Sequence, residues 1–230
     1  MLLLQFSTSH YCRKARLGLG YKGISYQVEN LTPGLHLLKI RPLTGGLTTV
    51  PVLLPQLEGY PTAIADSTQI FKFLESYCPS PTLFLSDPQL QSEAWMLEDW
   101  LDESIGTATR FVYYDFRAGL GKAIDPSLFS QMVIQVVRRQ YRINPASVEL
   151  AAGRLASAIE VLGNRWRDRP YLVSDRPSVA DLAAAALLSP LALIPQYRES
   201  YPWLFNRIVE IHQLCHESLP PGLQSVPHGG

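Results

Sequence analysis

The stretch "FSTSHYCRKAR", residues 6–16, carries three side chains that can hold or become a nucleophile, Ser9, Tyr11 and Cys12, just ahead of a basic, helix-forming run. A hydroxyl at the positive end of a helix can donate to an anion, and a cysteine in the first turn can ionise. The same residues also serve as plain caps, so their role depends on what the chain builds around them. Two more loci suit a ligand. In "TTVPVLL" Pro51 opens a strand. With a cis Val50–Pro51 bond, the turn presents the amide and carbonyl of Val50, and an extended peptide can pair with them as an added strand. In "AIADSTQIFKFLE" a strand ends at Asp66 and a helix begins with Ser67. Free amide donors with a serine hydroxyl attract a carboxylate, and the adjacent Asp66 attracts an ammonium, the pattern of an amino-acid end group.

Other suggestive clusters read structurally. Ser178 and Asp181 in "PSVADLAAAALL" form a capping-box arrangement that opens an almost wholly apolar helix, which must be buried on nearly every side. His212 and His216 in "HQLCH" lie one turn apart, but no second cysteine or acid stands at metal-site spacing. A histidine favoured by the helix C-terminus is expected instead, with Cys215 on the core stripe of Leu204, Ile208 and Ile211. The acidic run "EDWLDES", residues 98–104, reads as a solvated helix face, or else as an acidic patch at a subunit seam or active-site rim.

The elements that must position these residues change character near residue 80. Before it, strand-like runs ("LLLQF", "SYQVENL", "VPVLL", "TAIAD") alternate with helical segments at about 10–21 and 67–77. The order strand, helix, strand, loop, hairpin, helix implies a small mixed sheet with helices on its faces. "CPSPTLFLSDP", residues 78–88, reads as a linker. Beyond it come helical patterns at about 89–118, 126–142, 146–167, 178–193 and 202–217.

Composition excludes several classes. Net charge is zero, which argues against nucleic acid as a partner. Charged residues make up 17%, below the usual level of about 25%, so part of the surface is expected to face a partner subunit. The longest apolar run, residues 182–194, is too short for a membrane span and contains Pro190. "MLLLQF" lacks the features of a signal peptide, and three scattered cysteines make no disulfide framework, so a cytoplasmic protein is expected.

The succession of "STSHYCRKAR", "KGISYQVEN", "VPVL", "ADSTQIFKFLE", the proline-rich linker and "YLVSDRPSVADLA" resembles the cytosolic glutathione transferase superfamily over about residues 1–217, in its bacterial and cyanobacterial branches, the chi class among them. The resemblance implies an α/β thioredoxin-like domain over 1–77, a linker over 78–88 and an all-α domain over 89–230 holding an electrophile pocket. It also implies a homodimer, glutathione as co-substrate and no metal. Glutathione would lie extended, its cysteinyl part paired with Val50 beside Pro51 and its γ-glutamyl end held by Asp66 and Ser67. In the family's "CPYC" or "SPYC" pattern the first residue faces the sulfur, and Ser9 occupies that position, with Cys12 one turn deeper. His10 replaces the usual proline, which makes Ser7 and Tyr11 substitutes for Ser9 as the sulfur donor. Thr49 stands where Lys or Gln is usual, so a charged contact is either lost or supplied from Lys39 or Arg41. The aromatic stretch "TRFVYYDFRAG" falls where the family lines its electrophile pocket, pointing to Arg110, Tyr113, Tyr114 and Arg117 together with His10. The implied activity is a detoxifying conjugation of the glutathione thiolate to small apolar electrophiles. The alternatives are a glutathione-dependent thiol reductase using Cys12 and a non-catalytic, transferase-like interaction module.

Overall fold

In the computed structural model, which describes residues 1–167 and 169–224, the first 77 residues build a four-stranded sheet with three helices. The strands are β1 (Leu2–Gln5), β2 (Gln27–Asn30), β3 (Val52–Leu54) and β4 (Ile64–Ala65), in spatial order β2-β1-β3-β4. The β1–β2 pair is parallel, joined by helix α1 (His10–Tyr21), whereas β1–β3 and β3–β4 are antiparallel. Alternation along β1 explains the layering. Leu3 packs with Ala15, Leu19, Ile70 and Leu74, from α1 and from α3 (Ser67–Tyr77). Leu4 points the other way, toward Val52 and Ile40 of α2 (His36–Thr44).

Helix α2 replaces the loop expected after β2. Only Ile40 of its residues is buried and Pro42 lies inside it, so no apolar stripe announces a helix. It ends at Gly45, whose φ of 69° suits only glycine without strain.

No helix or strand occupies residues 78–87. The remaining described chain is helical: α4 (Pro88–Trp100), α5 (Gly106–Ala118), α6 (Leu128–Gln140), α7 (Pro145–Trp166), α8 (Val179–Leu187), α9 (Pro195–Ser200) and α10 (Pro202–Leu214), with 3₁₀ turns at Lys122–Ile124 and Ser189–Leu193. The expected helix over 89–118 is present, but a π-helical turn, Leu101–Ile105, interrupts it. Helix α8 is buried at every position and packs on α1, α4 and α10. The Asp181 carboxylate accepts from the Ser178 and Leu172 amides at 2.9 and 2.7 Å, closing the expected capping box. The main core runs continuously from Leu17 and Phe71 into these helices. Among the described residues no helix is long and apolar enough to cross a membrane.

The basic run of α1 is enclosed: Arg13, Lys14 and Arg16 are all buried. Arg13 donates to the Ser218 carbonyl and Arg16 pairs with Glu217 at 2.8 Å, so both bases tie residues 217 and 218 to α1. The acidic run is solvated only in part: Asp99 and Glu103 are exposed. Glu98 and Asp102 are buried around Lys14, whose ammonium donates to Glu98, to Asp102 at 2.7 Å and to the Thr68 hydroxyl at 3.2 Å. His212 is not charged by the end of α10. It is fully buried with its Nδ1 donating to Ile208, and burial, with Arg13 and Arg16 nearby, pulls it down to about 4. His216 lies exposed beyond the helix end.

Candidate active site

A cavity of about 560 Å³ opens between the start of α1, the segment entering β3, the start of α3 and the face formed by the π turn, α5 and α6. Ser9, His10, Tyr11, Thr49, Val50, Pro51, Asp66, Ser67, Arg110, Tyr113 and Tyr114, all singled out in the sequence, line it.

Ser9 is the N-cap of α1, and its Oγ accepts the Cys12 amide at 3.3 Å. The accepting oxygen keeps its own proton, and at the positive end of the helix the half-buried hydroxyl can turn it to the Cys12 sulfur or into the cavity. His10 is buried, and its Nε2 meets the Gly106 carbonyl at 3.1 Å; a carbonyl only accepts, so this nitrogen carries the proton. Burial first, and the Arg110 charge second, pull His10 down to about 3, which keeps the ring neutral.

Tyr11 and Cys12 are set aside as sulfur donors. The Tyr11 hydroxyl spends its one proton on the Asp102 carbonyl in the π turn, at 2.8 Å, and burial raises its pKa. That contact needs a glycine opposite, because a Cβ on Gly106 would come within 2.7 Å of the Tyr11 oxygen. Cys12 faces the core with no exposure, and burial pushes its thiol up to about 11. Ser7 is exposed but does not line the cavity.

The Val50–Pro51 bond is cis, and Val50 makes no backbone hydrogen bond to another residue among those described. Asp66 caps α3 through one carboxylate oxygen, which accepts the Thr68 and Gln69 amides at 2.9 and 3.1 Å. The helix therefore satisfies two of its amide donors internally and leaves the Ser67 amide and hydroxyl without a partner among the described residues. Asp66 holds φ at 76°, a strained conformation for a non-glycine residue of the kind that gathers at ligand sites.

Three expected contacts fall elsewhere. Lys39 does not line the cavity, being paired with Glu29 across from β2, and Arg41 is exposed and outside it. Arg117 is buried behind the wall, donating to the Tyr113 hydroxyl at 2.9 Å and to Ser130 at 3.3 Å. It shares a stripe of α5 with Arg110, Tyr113 and Tyr114 but lies too deep to reach the cavity. Tyr114 is held up to about 12 by burial.

Sequence reasoning missed several lining residues. His36 comes from the unanticipated α2; it accepts the Gly34 amide on Nδ1 and donates from Nε2 to the Thr48 carbonyl at 3.1 Å. Asp102 and Glu103, by contrast, come from the acidic run for which an active-site rim was one expected role; at the cavity floor burial raises Asp102 to about 6 against the pull of Lys14. Tyr141 and the valines 133, 136 and 137 close the far side. The spacing of those valines on a predicted helix is a usable signal, whereas nothing local in the sequence marks His36.

Residues 3–82 match the family model described as Glutathione S-transferase, N-terminal domain, and residues 145–206 match Glutathione S-transferase, C-terminal domain. A sequence search of curated proteins finds no match. Among solved structures, a glutathione S-transferase from Xanthobacter autotrophicus superposes with TM-score 0.72 at 19% identity, covering 96% of this chain and 97% of that one. One from Methylobacterium radiotolerans, in complex with glutathione sulfonate, gives 0.70 at 19%, covering 100% and 98%. The beta-etherase LigF from Sphingobium gives 0.71 at 18%, covering 92% and 94%. At these identities the likeness is one of fold.

Proposed function

The chain belongs to the glutathione S-transferase superfamily, and on that premise we propose that it binds glutathione in this cavity and adds its thiolate to small, largely apolar electrophiles. The observation that carries the proposal is Ser9, whose oxygen accepts an amide of α1 while its proton remains available to a sulfur anion. The thiol proton leaves to solvent, and the sulfur lone pair forms a bond to the electrophilic carbon. A leaving group departs with its electron pair, or the pair of an activated double bond moves away and is protonated by water. Ser67 and Asp66 take the γ-glutamyl carboxylate and ammonium, and the main chain of Val50 takes the cysteinyl part. Beyond the sulfur, His10, Arg110, Tyr113 and Tyr114 border the electrophile. Sheet and first three helices serve as the glutathione domain through residue 77, 78–88 as the linker, and the helices from 89 onward as the electrophile domain.

The buried Cys12 weighs against a thiol reductase, because a mixed disulfide needs an accessible thiolate. The unpartnered Ser67 donors weigh against a module that has lost its ligand. A panel of activated aryl halides, enones and disulfides, assayed with glutathione, tests the reading: turnover of disulfides alone would overturn it. Ser67→Ala should weaken glutathione binding by about 1.5 to 3 kcal/mol, the worth of a hydrogen bond to a charged group. Calorimetric titration at wild-type affinity would remove Ser67 from the site.

A homodimer fits the low charge content and the aromatic cluster of exposed Tyr60 and Tyr77 around half-buried Phe73, rings 5.6 to 5.8 Å apart. Light scattering at micromolar concentration should give about twice the 25.7 kDa chain mass; a monomer there would refute it. The acidic run contributes little to such a seam, since Glu98 and Asp102 are consumed inside the chain. Free cysteines at 12, 78 and 215 suit a reducing cytoplasm.

A further inference from the structure

Arg110 is the exception among the basic groups around the cavity. Lys14, Arg13 and Arg16 each have an acceptor inside the protein, whereas Arg110, half-buried in the wall, makes no ion pair or hydrogen bond with any described residue. Its guanidinium carbon sits 5.2 Å from the Tyr11 ring centroid and 4.4 Å from that of Tyr141. Flanked by two rings, the group is fixed in place and has its in-plane N–H edge left for a planar anion. Leaving such donors partly desolvated and unpaired is costly, and a bound anion removes that cost.

A second donor stands beside it. Tyr113, three residues on along α5, lines the same cavity, and its hydroxyl oxygen already accepts from Arg117. Its own proton is thus left to donate. Around these donors the cavity surface is apolar and aromatic, from Val133, Val136 and Val137 of α6 and from Tyr114. The carboxylates of the cavity, Asp66, Asp102 and Glu103, lie at the start of α3 and in the π turn.

We propose that the electrophile taken here is an aromatic carboxylate, its anionic group held by Arg110 and Tyr113 and its ring packed among the α6 valines and Tyr114. This rests on the conjugation reading above and narrows its substrate class. Repulsion from Asp66, Asp102 and Glu103 turns the anionic end toward Arg110, so the reactive carbon is presented toward Ser9. In the covalent step the glutathione sulfur bonds to the ring carbon carrying the leaving group, which departs with its electron pair; the carboxylate is unchanged.

The test compares 4-chloro-3,5-dinitrobenzoate with 4-chloro-3,5-dinitrobenzamide, each with glutathione and each corrected for its uncatalysed rate. The wild type should favour the benzoate in kcat/KM by about tenfold or more, as a charge-assisted contact implies. Arg110→Gln should collapse that ratio to about one, and Arg110→Lys should recover part of it. A wild type that shows no preference, or an Arg110→Gln ratio equal to that of the wild type, overturns the proposal. So does a rise in the KM for glutathione with the ratio intact, since the guanidinium then serves the tripeptide. Calorimetric titration with the unreactive 3,5-dinitrobenzoate and 3,5-dinitrobenzamide separates this from failure of the conjugation reading. Benzoate binding that Arg110→Gln abolishes, in a protein that turns over neither chloride, upholds the anion site and sinks conjugation. Equal binding of acid and amide to the wild type sinks the anion site itself.

Discussion

Ser9→Ala should lower conjugation at pH 7 by up to about 25-fold, the fall in thiolate fraction when a thiol pKa returns from about 6.5 to about 8.5. A hydroxyl hydrogen bond and the positive end of α1 together need to depress a thiol by only two units from about 8.5, worth about 2.7 kcal/mol, to keep bound glutathione mostly ionised. Without the hydroxyl the thiol stays protonated near neutrality, so part of the lost rate should return by pH 9, where the thiol ionises unaided. Ser9 also caps α1, so the variant should lose about 1 kcal/mol of stability, and rates belong well below its melting transition. Cys12→Ala should keep the wild-type pH profile, because that thiol is sealed in the core and held up to about 11. A Ser9→Ala rate equal to wild type at every pH would sink the role proposed for this hydroxyl.

Lys14→Met should be the most destabilising single change, by about 3 to 5 kcal/mol. Its ammonium lies between Glu98 and Asp102 with no exposure, and the three donors it offers are all taken, by those two carboxylates and by Thr68. Thr68 in turn donates to Glu98 at 2.7 Å. Methionine fills similar space but leaves two carboxylates buried without a cation, and for a chain of this length the loss corresponds to roughly 10 °C in Tm. Replacing the cluster as a whole, by Lys14→Met with Glu98→Gln and Asp102→Asn, should restore much of it, since no charge is then stranded. Differential scanning calorimetry decides: a Lys14→Met midpoint within 1 °C of wild type would show that the cluster contributes nothing to stability. Because α1, α3 and the π turn meet at this cluster, the variant should also disturb the cavity floor at Asp102.

Much of this was legible locally. The alternation in "LLLQF", the N-cap Ser9, the strand that ends at Asp66 and the capping box of α8 each announce themselves within a few residues, because caps and strand faces depend on near neighbours. The sequence by itself therefore determined a small mixed sheet followed by a helical body, and it brought Ser9, Val50, Asp66 and Ser67 forward as one ligand-binding set. Long-range pairing decided the rest. Helix α2 lacks an apolar stripe, since it touches the sheet mainly through Ile40, and His36 was hidden with it. "EDWLDES" looks solvated when read alone; only the packing of α1 against the second half of the chain buries a lysine between two acids. Tyr11 and Cys12 carry chemistry as types but lose it by placement, one hydroxyl committed to a carbonyl ninety-one residues away and one thiol turned from water. Whether a polar group is spent or available depends on partners distant in sequence, and those partners exist only once the tertiary structure has formed.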